Sequence, residues 1–543
     1  MSGSARLGAV RLAWLVAFAA KTAWAESTAP GAPPDSTPEG LPIRRIEIRA
    51  RDIYEPVPRG RLVAFYRLAN HLHVRTRQRT IRDELLFAPG DRWSEARARE
   101  SERNLRALDI LETRRIQARR VNDSVDVVVE TRDSWTTNPE FNLESGGERV
   151  YGSVAFGERN LFGLGKSVGV GYGEDPTGIS RNVSVTDPNV ASTHVRASFA
   201  ASTGSAGANN ALFVGLPFWS EDAPWTFGVQ WQKVTSVFSL FQEGEEVADF
   251  DQRLDLTKVF LGTGRRVRGT ITRLTGSLTI SDRRYGPSRV TPSAPPEFDG
   301  SEDNLHLRRL AVELRLWRPR PIERTGIDRL DGTEDFELGP SLAATAGVAP
   351  RLFGSAANEG YGEIQLSGGQ ELGSRTFGLA ALELTSRLRP TPHEAVARFR
   401  GRFYTRVFPG HTIALGAWGV AGRNVGRDFQ VVVGGLNGLR GYSVQELAGT
   451  QVWRLNAENR WLFGREYYQL FSLGAAAFYD AARAWGPGSA AGEWHHSAGL
   501  GLRISFPHSA LNRVGRFDVA WPIDPSRDGR RDPVFSFGSS QAF

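Results

Sequence analysis

The sequence predicts two parts: a small α+β domain over residues 42–132, and from 133 to 543 an all-β antiparallel barrel suited to spanning a membrane. Three observations lead there. From about Pro139 onward, short runs alternate apolar and polar residues between polar, Gly-rich segments, the period-two pattern of a sheet with two unlike faces. Over residues 42–132, strand and helix signals follow one another in the order βααββ. Beyond the N-terminus no stretch reaches the roughly 20 consecutive apolar residues a spanning helix needs. A membrane role therefore has to be played by strands, which can satisfy their backbone groups in lipid only by closing on one another.

The elements justify this in order. Arg6 and Arg11 precede a short apolar core, Leu12 to Ala20, and Ala23-Trp24-Ala25 supplies a small-x-small cleavage site; residues 1–25 read as a secretory signal. Residues 26–41 are rich in Pro, Ser and Thr and read as a linker. The sequence has no cysteine, so an exported fold has to rest on hydrogen-bonded sheet and packing rather than on disulfides. Thiol catalysis and Cys-based zinc sites are excluded with it.

In the small domain, Ile43-Arg44-Arg45-Ile46-Glu47-Ile48 sets Ile46 and Ile48 on one face of a strand. Thr80 to Leu86 brings Ile81 and Leu85 to helical spacing before Pro89-Gly90 stops the helix. Ser94 is placed to cap a second helix running to Leu108, with Ala98, Leu105 and Leu108 on one side. Strands over 114–120 and 125–130, joined at Asn122-Asp123, complete the domain. Residues 42–132 hold 21 Arg against 14 acidic residues, a net +7, which suits anionic lipid head groups or an acidic partner. Nucleic acid is not the expected partner of an exported chain.

In the large part, Val195, Ala197, Phe199 and Ala201 alternate with His194, Arg196 and Ser198, and Leu310, Val312, Leu314 and Leu316 alternate with Ala311, Glu313, Arg315 and Trp317. One face can meet lipid and the other the barrel interior. Enzyme signatures fail on inspection. Gly165-Lys166-Ser167 lacks the Gly a phosphate loop requires, since Asn160 stands in its place. No G-x-S-x-G is present. His71-x-His73 and His495-His496 lack further ligands at metal spacing. The chain reads as no enzyme, with no cofactor and no metal.

Gly434-Gly435-Leu436-Asn437-Gly438-Leu439-Arg440-Gly441-Tyr442, followed by Leu455-Asn456-Ala457-Glu458 and by Ala477-Phe478-Tyr479-Asp480-Ala481-Ala482, resembles the BamA/TamA-type outer-membrane protein assembly factors. Asn160 to Gly165, Ser184 to Pro188 and Ser497 to Arg503 are similar to the family's opening and closing strands. Ile81-x-x-x-Leu85-Leu86, Gly90-Asp91 and Asn104-Leu105-x-x-Leu108 resemble one polypeptide-transport-associated (POTRA) domain. The resemblance implies a sixteen-stranded barrel in the bacterial outer membrane with the POTRA domain in the periplasm. It implies that the loop Leu439, Arg440, Gly441 and Tyr442 folds into the lumen, where Arg440 meets the wall carboxylates Glu458 and Asp480. The family's Asp-x-Gly reads Asp480-Ala481-Ala482 here. The C-terminus, with Ser536, Gly538 and a terminal Phe543, resembles the outer-membrane insertion signal, although Gln541 replaces the usual apolar residue. The implied role is insertion or translocation of polypeptides without ATP. A weak seam between a first strand near Phe141 to Glu144 and a last over Val534 to Phe543 would serve it. Unfolded or nascent outer-membrane polypeptides, lipid and periplasmic accessory proteins are the implied partners. The alternatives are a two-partner secretion transporter for one client and a passive solute pore.

Overall fold

The computed structural model describes residues 38–146, 149–175, 178–292, 294, 298–299, 304–389, 391–435, 437–464, 466–486, 492–510, 514–526, 529 and 531–539. The expected signal and nearly all of the linker lie outside the described residues, as do Gln541 and Phe543.

The small domain runs β1 (Ile43–Arg51), α1 (Val63–Leu72), α2 (Gln78–Asp83), α3 (Glu95–Ala107), β2 (Leu111–Val121) and β3 (Ser124–Asp133). Its sheet has the order β1-β3-β2, with β3 central, parallel to β1 and antiparallel to β2. Ile43, Ile48, Val125, Val127 and Val129 from the sheet meet Ile81, Leu85, Trp93, Ala98 and Leu105 from the helical layer in one core. The βααββ expectation is thus one helix short. α1 escaped it because Phe65, Leu68 and Leu72 face outward instead of joining that core. Ser94 stands at the start of α3 but makes no capping bond; the Glu39 carboxylate accepts the Glu95 N–H instead, at 2.9 Å. The β2–β3 turn falls at Asn122-Asp123 as expected, Asn122 having φ 54°.

From Thr137 the chain forms an antiparallel sheet that closes on itself. Among the described residues it contains twenty strands of six or more residues, from Thr137–Gly146 to Val534–Ser539, plus the two-residue Arg289–Val290. This corrects the expected sixteen. That number comes from the resemblance and not from turn lengths, and many hairpins here turn within two residues. Glu243-Gly244 (φ 49° and 78°) and Arg268-Gly269 (φ 49° and 79°) have the left-handed backbone that tight hairpins need. Residues saved in turns become strands. An even number keeps both barrel ends on the side of the small domain.

The alternation holds in space. Leu310, Val312, Leu314 and Leu316 are 36–51% exposed on the outer face, while Glu313 and Arg315, between them in sequence, pair at 3.2 Å. Across neighbouring strands Val185, Phe199 and Leu212 lie opposite one another, and each is exposed. An apolar outer wall around a charged interior is the solvent preference of a lipid-spanning barrel. Lys166, from the sequence that mimicked a phosphate loop, begins a strand and pairs with Asp187 at 2.8 Å.

Candidate functional site: a lumen closed from both ends

Two segments fill the interior from opposite directions. Between the strands His411–Arg423 and Gln451–Leu462, the described residues of 424–450 connect at the end away from the small domain and fold inward. Asp428 accepts hydrogen bonds from Arg283 (2.6 Å) and Tyr285 (2.7 Å) on the wall. Gln430 brackets the Phe241 backbone, accepting from its N–H at 2.8 Å and donating to its carbonyl at 2.7 Å. The loop is thus anchored before it reaches its tip.

At the tip, Leu439, Arg440 and Tyr442 are almost wholly buried. Gly441, at φ 93°, turns the chain where an added Cβ would lie 3.1 Å from the Ser497 side chain and 3.2 Å from the backbone of Trp521 and Pro522. Only glycine combines that backbone with so close an approach. Arg440 then grips the wall. Its Nε and Nη2 donate to the two Asp480 oxygens at 2.7 and 2.8 Å, and its Nη1 donates to Glu458 at 2.7 Å and to Asp518 at 3.2 Å. The Phe478 ring lies 3.4 Å from its Cζ. The Tyr442 hydroxyl lies 2.9 Å from the His496 carbonyl and 3.0 Å from that of Asp524. A planar fork matches two carboxylates at once, which offsets the cost of burying its charge.

The strands supply these groups by their pleat. Asn456, Glu458 and Arg460 are alternate residues of one strand, and Arg516 and Asp518 of another, so each set points to the same face. Arg503 donates to Asp518 at 2.5 Å, Arg516 to Asp518 at 2.9 Å, and Arg460 to Glu458 at 2.7 Å. Asn456 steadies Asp480 at 2.7 Å and the Gly438 carbonyl at 2.9 Å. Ala482, where the resembling family has glycine, is fully buried against Leu439 and Tyr442, so its methyl joins the loop's apolar seat.

The second segment enters from the side of the small domain. Between the strands Leu305–Trp317 and Ser341–Ala349, a hairpin of Pro321–Thr325 and Thr333–Glu337 folds inward. Its Ile322, Ile327, Phe336 and Leu338 pack on Phe377, Tyr404 and Ala414 of the wall. Glu334 accepts the N–H groups of Ile327, Asp328 and Arg329 at 2.8–3.1 Å and so shapes its tip. Burial pushes the Glu334 carboxyl up to about 7. An acid that holds its proton more tightly when folded favours the folded tip at low pH. That part of the stability is lost as pH rises from the ordinary carboxylate range through about 7.

The two segments meet through charge. Asp328 at the hairpin tip accepts from Tyr404 at 3.0 Å and from Arg402 at 3.3 Å, and lies 3.4 Å from Arg460. Arg460 also donates to the Ile327 carbonyl at 2.8 Å. A continuous path therefore runs Arg440–Glu458–Arg460–Asp328. It continues to the small domain, where Arg106 of α3 binds Asp335 (2.7 Å) and Glu323 (2.8 Å) and Asp109 meets Arg329 at 3.3 Å. Asp328→Ala is expected to free the hairpin while the barrel stays closed. Hydrogen bonds to charged groups contribute about 1.5–3 kcal/mol each, and several are lost together. Limited proteolysis should then cut within 321–337 in the variant and spare the parent; equal resistance of both would argue against this anchoring.

The residues singled out from sequence fall as follows. Arg440, Glu458 and Asp480 are brought together, with Leu439, Gly441 and Tyr442 around them. Ser536 and Gly538 lie in the last strand, opposite Asp518 and Arg516 respectively, and Ser536 is buried; Phe543 lies outside the described residues. Sequence reasoning missed Asp518, Arg503, Arg460 and the whole inner hairpin. Glu458-x-Arg460 and Arg516-x-Asp518 show charges two positions apart, but no compact motif frames Asp518, Arg503 or Arg460. The hairpin carried no readable signal.

Residues 416–543 match the Omp85 superfamily domain. That span contains the loop, Arg440 and its three carboxylates, and the last five strands, which places the family resemblance where the sequence motifs lie. No curated protein matches the chain. Among solved structures, it is similar to CdiB from Acinetobacter baumannii at 12% identity and a TM-score of 0.47, covering 92% of this chain and 74% of that one. It is similar to CdiB from Escherichia coli at 13% and 0.46, covering 92% and 76%. A third likeness is to BamA from Haemophilus ducreyi lacking POTRA domains 1–3, at 15% and 0.39, covering 92% and 85%.

Proposed function

We propose, from the Omp85 superfamily domain over residues 416–543 and the lumen described above, that this protein is an outer-membrane barrel that assists insertion or translocation of polypeptides without ATP. Its small domain serves as a single periplasmic POTRA domain. One observation carries the reading. The last strand, Val534–Ser539, closes the barrel against the first, Thr137–Gly146. These two strands come from opposite ends of the barrel sequence with no connecting segment to hold them together, so the wall can part there. Once parted, its edges offer main-chain hydrogen bonds to an incoming strand whatever that strand's sequence.

The loop is placed to sense that seam. Arg440 binds Asp518, and Asp518 lies opposite Ser536 of the closing strand. The small domain can receive a client along β2, a sheet edge. A lumen occupied from both ends argues against a passive solute pore.

Export of one dedicated client through the lumen, as in two-partner secretion, is the second reading. A polar cavity of about 610 Å³ favours it. Beside the loop it is lined by Arg283, Arg309, Arg387, Glu363, Glu383 and Asp428, and it offers an extended chain a wet path. Depleting the protein and taking inventory of the outer-membrane proteome separates the two. Loss of many barrel proteins is expected under the first reading. Loss of one exported protein, with the barrel proteome intact, would replace it with the second.

A further inference from the structure

Helix α1 is unlike the rest of the small domain. One side, with Tyr66 and Ala69, packs on Ile53, Tyr54, Trp135 and Leu470. The other side is bare. Phe65, Leu68 and Leu72 are 48%, 54% and 63% exposed, large values for apolar side chains on a helix that already has a core. At about 100° per residue these three form one stripe, and Arg67 and His71, both exposed, line the stripe's flank. Arg59 and Arg61 stand exposed just before the helix, and neither they nor Arg67 pair with a carboxylate among the described residues. The nearby acids Asp52 and Glu55 are taken by Arg75.

The helix also packs against the edge of the barrel on that side. The Tyr66 hydroxyl donates to the Tyr468 carbonyl at 2.6 Å. That turn, between the strands Gln451–Leu462 and Ser472–Trp485, exposes Phe463, Tyr467 and Tyr468, the residue types that mark the edge of a lipid belt. On the next strand but one of the wall, the exposed column Leu500, Leu502 and Phe506 descends to His508. The His508 ring is 5.3 Å from that of Tyr54, inside the cluster that seats α1.

From these placements we infer that α1 is a membrane-docking helix. Phe65, Leu68 and Leu72 enter the leaflet on the small-domain side, and Arg59, Arg61 and Arg67 bind its anionic head groups. An apolar stripe flanked by cations is the composition of helices that lie in a bilayer interface, and juxtamembrane Arg clusters favour anionic lipid. The docking pins the small domain to the bilayer beside the first strand, which begins two residues after Trp135. It requires only that the barrel span a bilayer, not that it handle polypeptide.

The chain lacks cysteine, so single cysteines at positions 65, 67, 68, 71 and 72 can each carry one nitroxide in the full-length protein. These side chains face outward, and heat-modifiable migration confirms that each labelled barrel has folded. In bilayers of phosphatidylethanolamine and phosphatidylglycerol, oxygen accessibility should exceed that of an aqueous nickel chelate at 65, 68 and 72. The order should reverse at 67 and 71. Replacing Arg59, Arg61 and Arg67 with Gln, or using phosphatidylcholine alone, should lower the oxygen-to-nickel ratio at 68 severalfold. Nickel accessibility equal at all five positions in both lipids would overturn the inference. Protection at all five with spin–spin broadening would also overturn it, and would assign the stripe to a second copy of the chain.

Discussion

Arg440→Ala should yield a barrel that still closes but melts at a clearly lower temperature and works poorly. The geometry says which group suffers. Without Arg440, Glu458 keeps Arg460 and Arg503, and Asp518 keeps Arg503 and Arg516. Asp480, fully buried, keeps only neutral donors, the Asn456 amide and the backbone N–H of residue 440. Breaking a buried pair by removing one partner costs on the order of 3–5 kcal/mol because a charge is left uncompensated. The cost should therefore concentrate at Asp480. Arg440→Ala combined with Asp480→Asn should recover much of the stability without recovering function, because the loop still lacks its anchor. Arg440→Lys should behave nearly as poorly as Ala, since a single ammonium cannot span Asp480 and Glu458 as the fork does. Heat-modifiable migration and an insertion assay read these two effects separately. Unchanged melting and unchanged activity in Arg440→Ala would mean the loop is a passive filler.

Tying the first and last strands together should abolish activity and leave the fold intact. The closing strand is a neighbour of Thr137–Gly146, and a disulfide forms only where Cα atoms lie within about 7 Å. Cysteine pairs scanned between Phe141–Glu144 and Ser536–Ser539 therefore find the register as well as test the need for opening. With no native cysteine to compete, a crosslink reports one pair. Oxidised protein should stall at client insertion by an order of magnitude or more, and reduction should restore the rate. Several well-formed crosslinks with client insertion at the parent rate would move the work from the seam to the lumen, where the polar cavity beside the loop becomes the candidate path.

These two experiments differ in how far the sequence anticipates them. Arg440, Glu458 and Asp480 stand 18 and 40 residues apart, yet their grouping was legible because the motifs around them are compact and ordered. The third carboxylate, Asp518, has no such local frame. It reaches Arg440 only because its strand is packed two places from the strand of Asp480 and the pleat turns it inward. Helix α1 was missed for the opposite reason. Its apolar residues face out, and a reader seeking a core finds no partner for them. The strand count was missed because turn length, not strand pattern, sets how many strands 400 residues can make.

The amino-acid sequence by itself determined what each residue prefers. Alternation set an apolar face against a polar one, the lack of long apolar stretches left strands as the means of crossing a membrane, and the glycines at 438 and 441 permitted the turn that carries Arg440 inward. These are local properties, readable over a few residues because backbone sterics and side-chain polarity act over that range. Tertiary structure alone decided the closure of the barrel, at twenty strands among the described residues, and the entry of the 321–337 hairpin from the side opposite the loop. It alone also joined Arg440 to Asp328 through Glu458 and Arg460. Each of these depends on residues more than a hundred positions apart becoming neighbours, and a charge buried in a lumen is compensated by whichever wall group the register delivers to it.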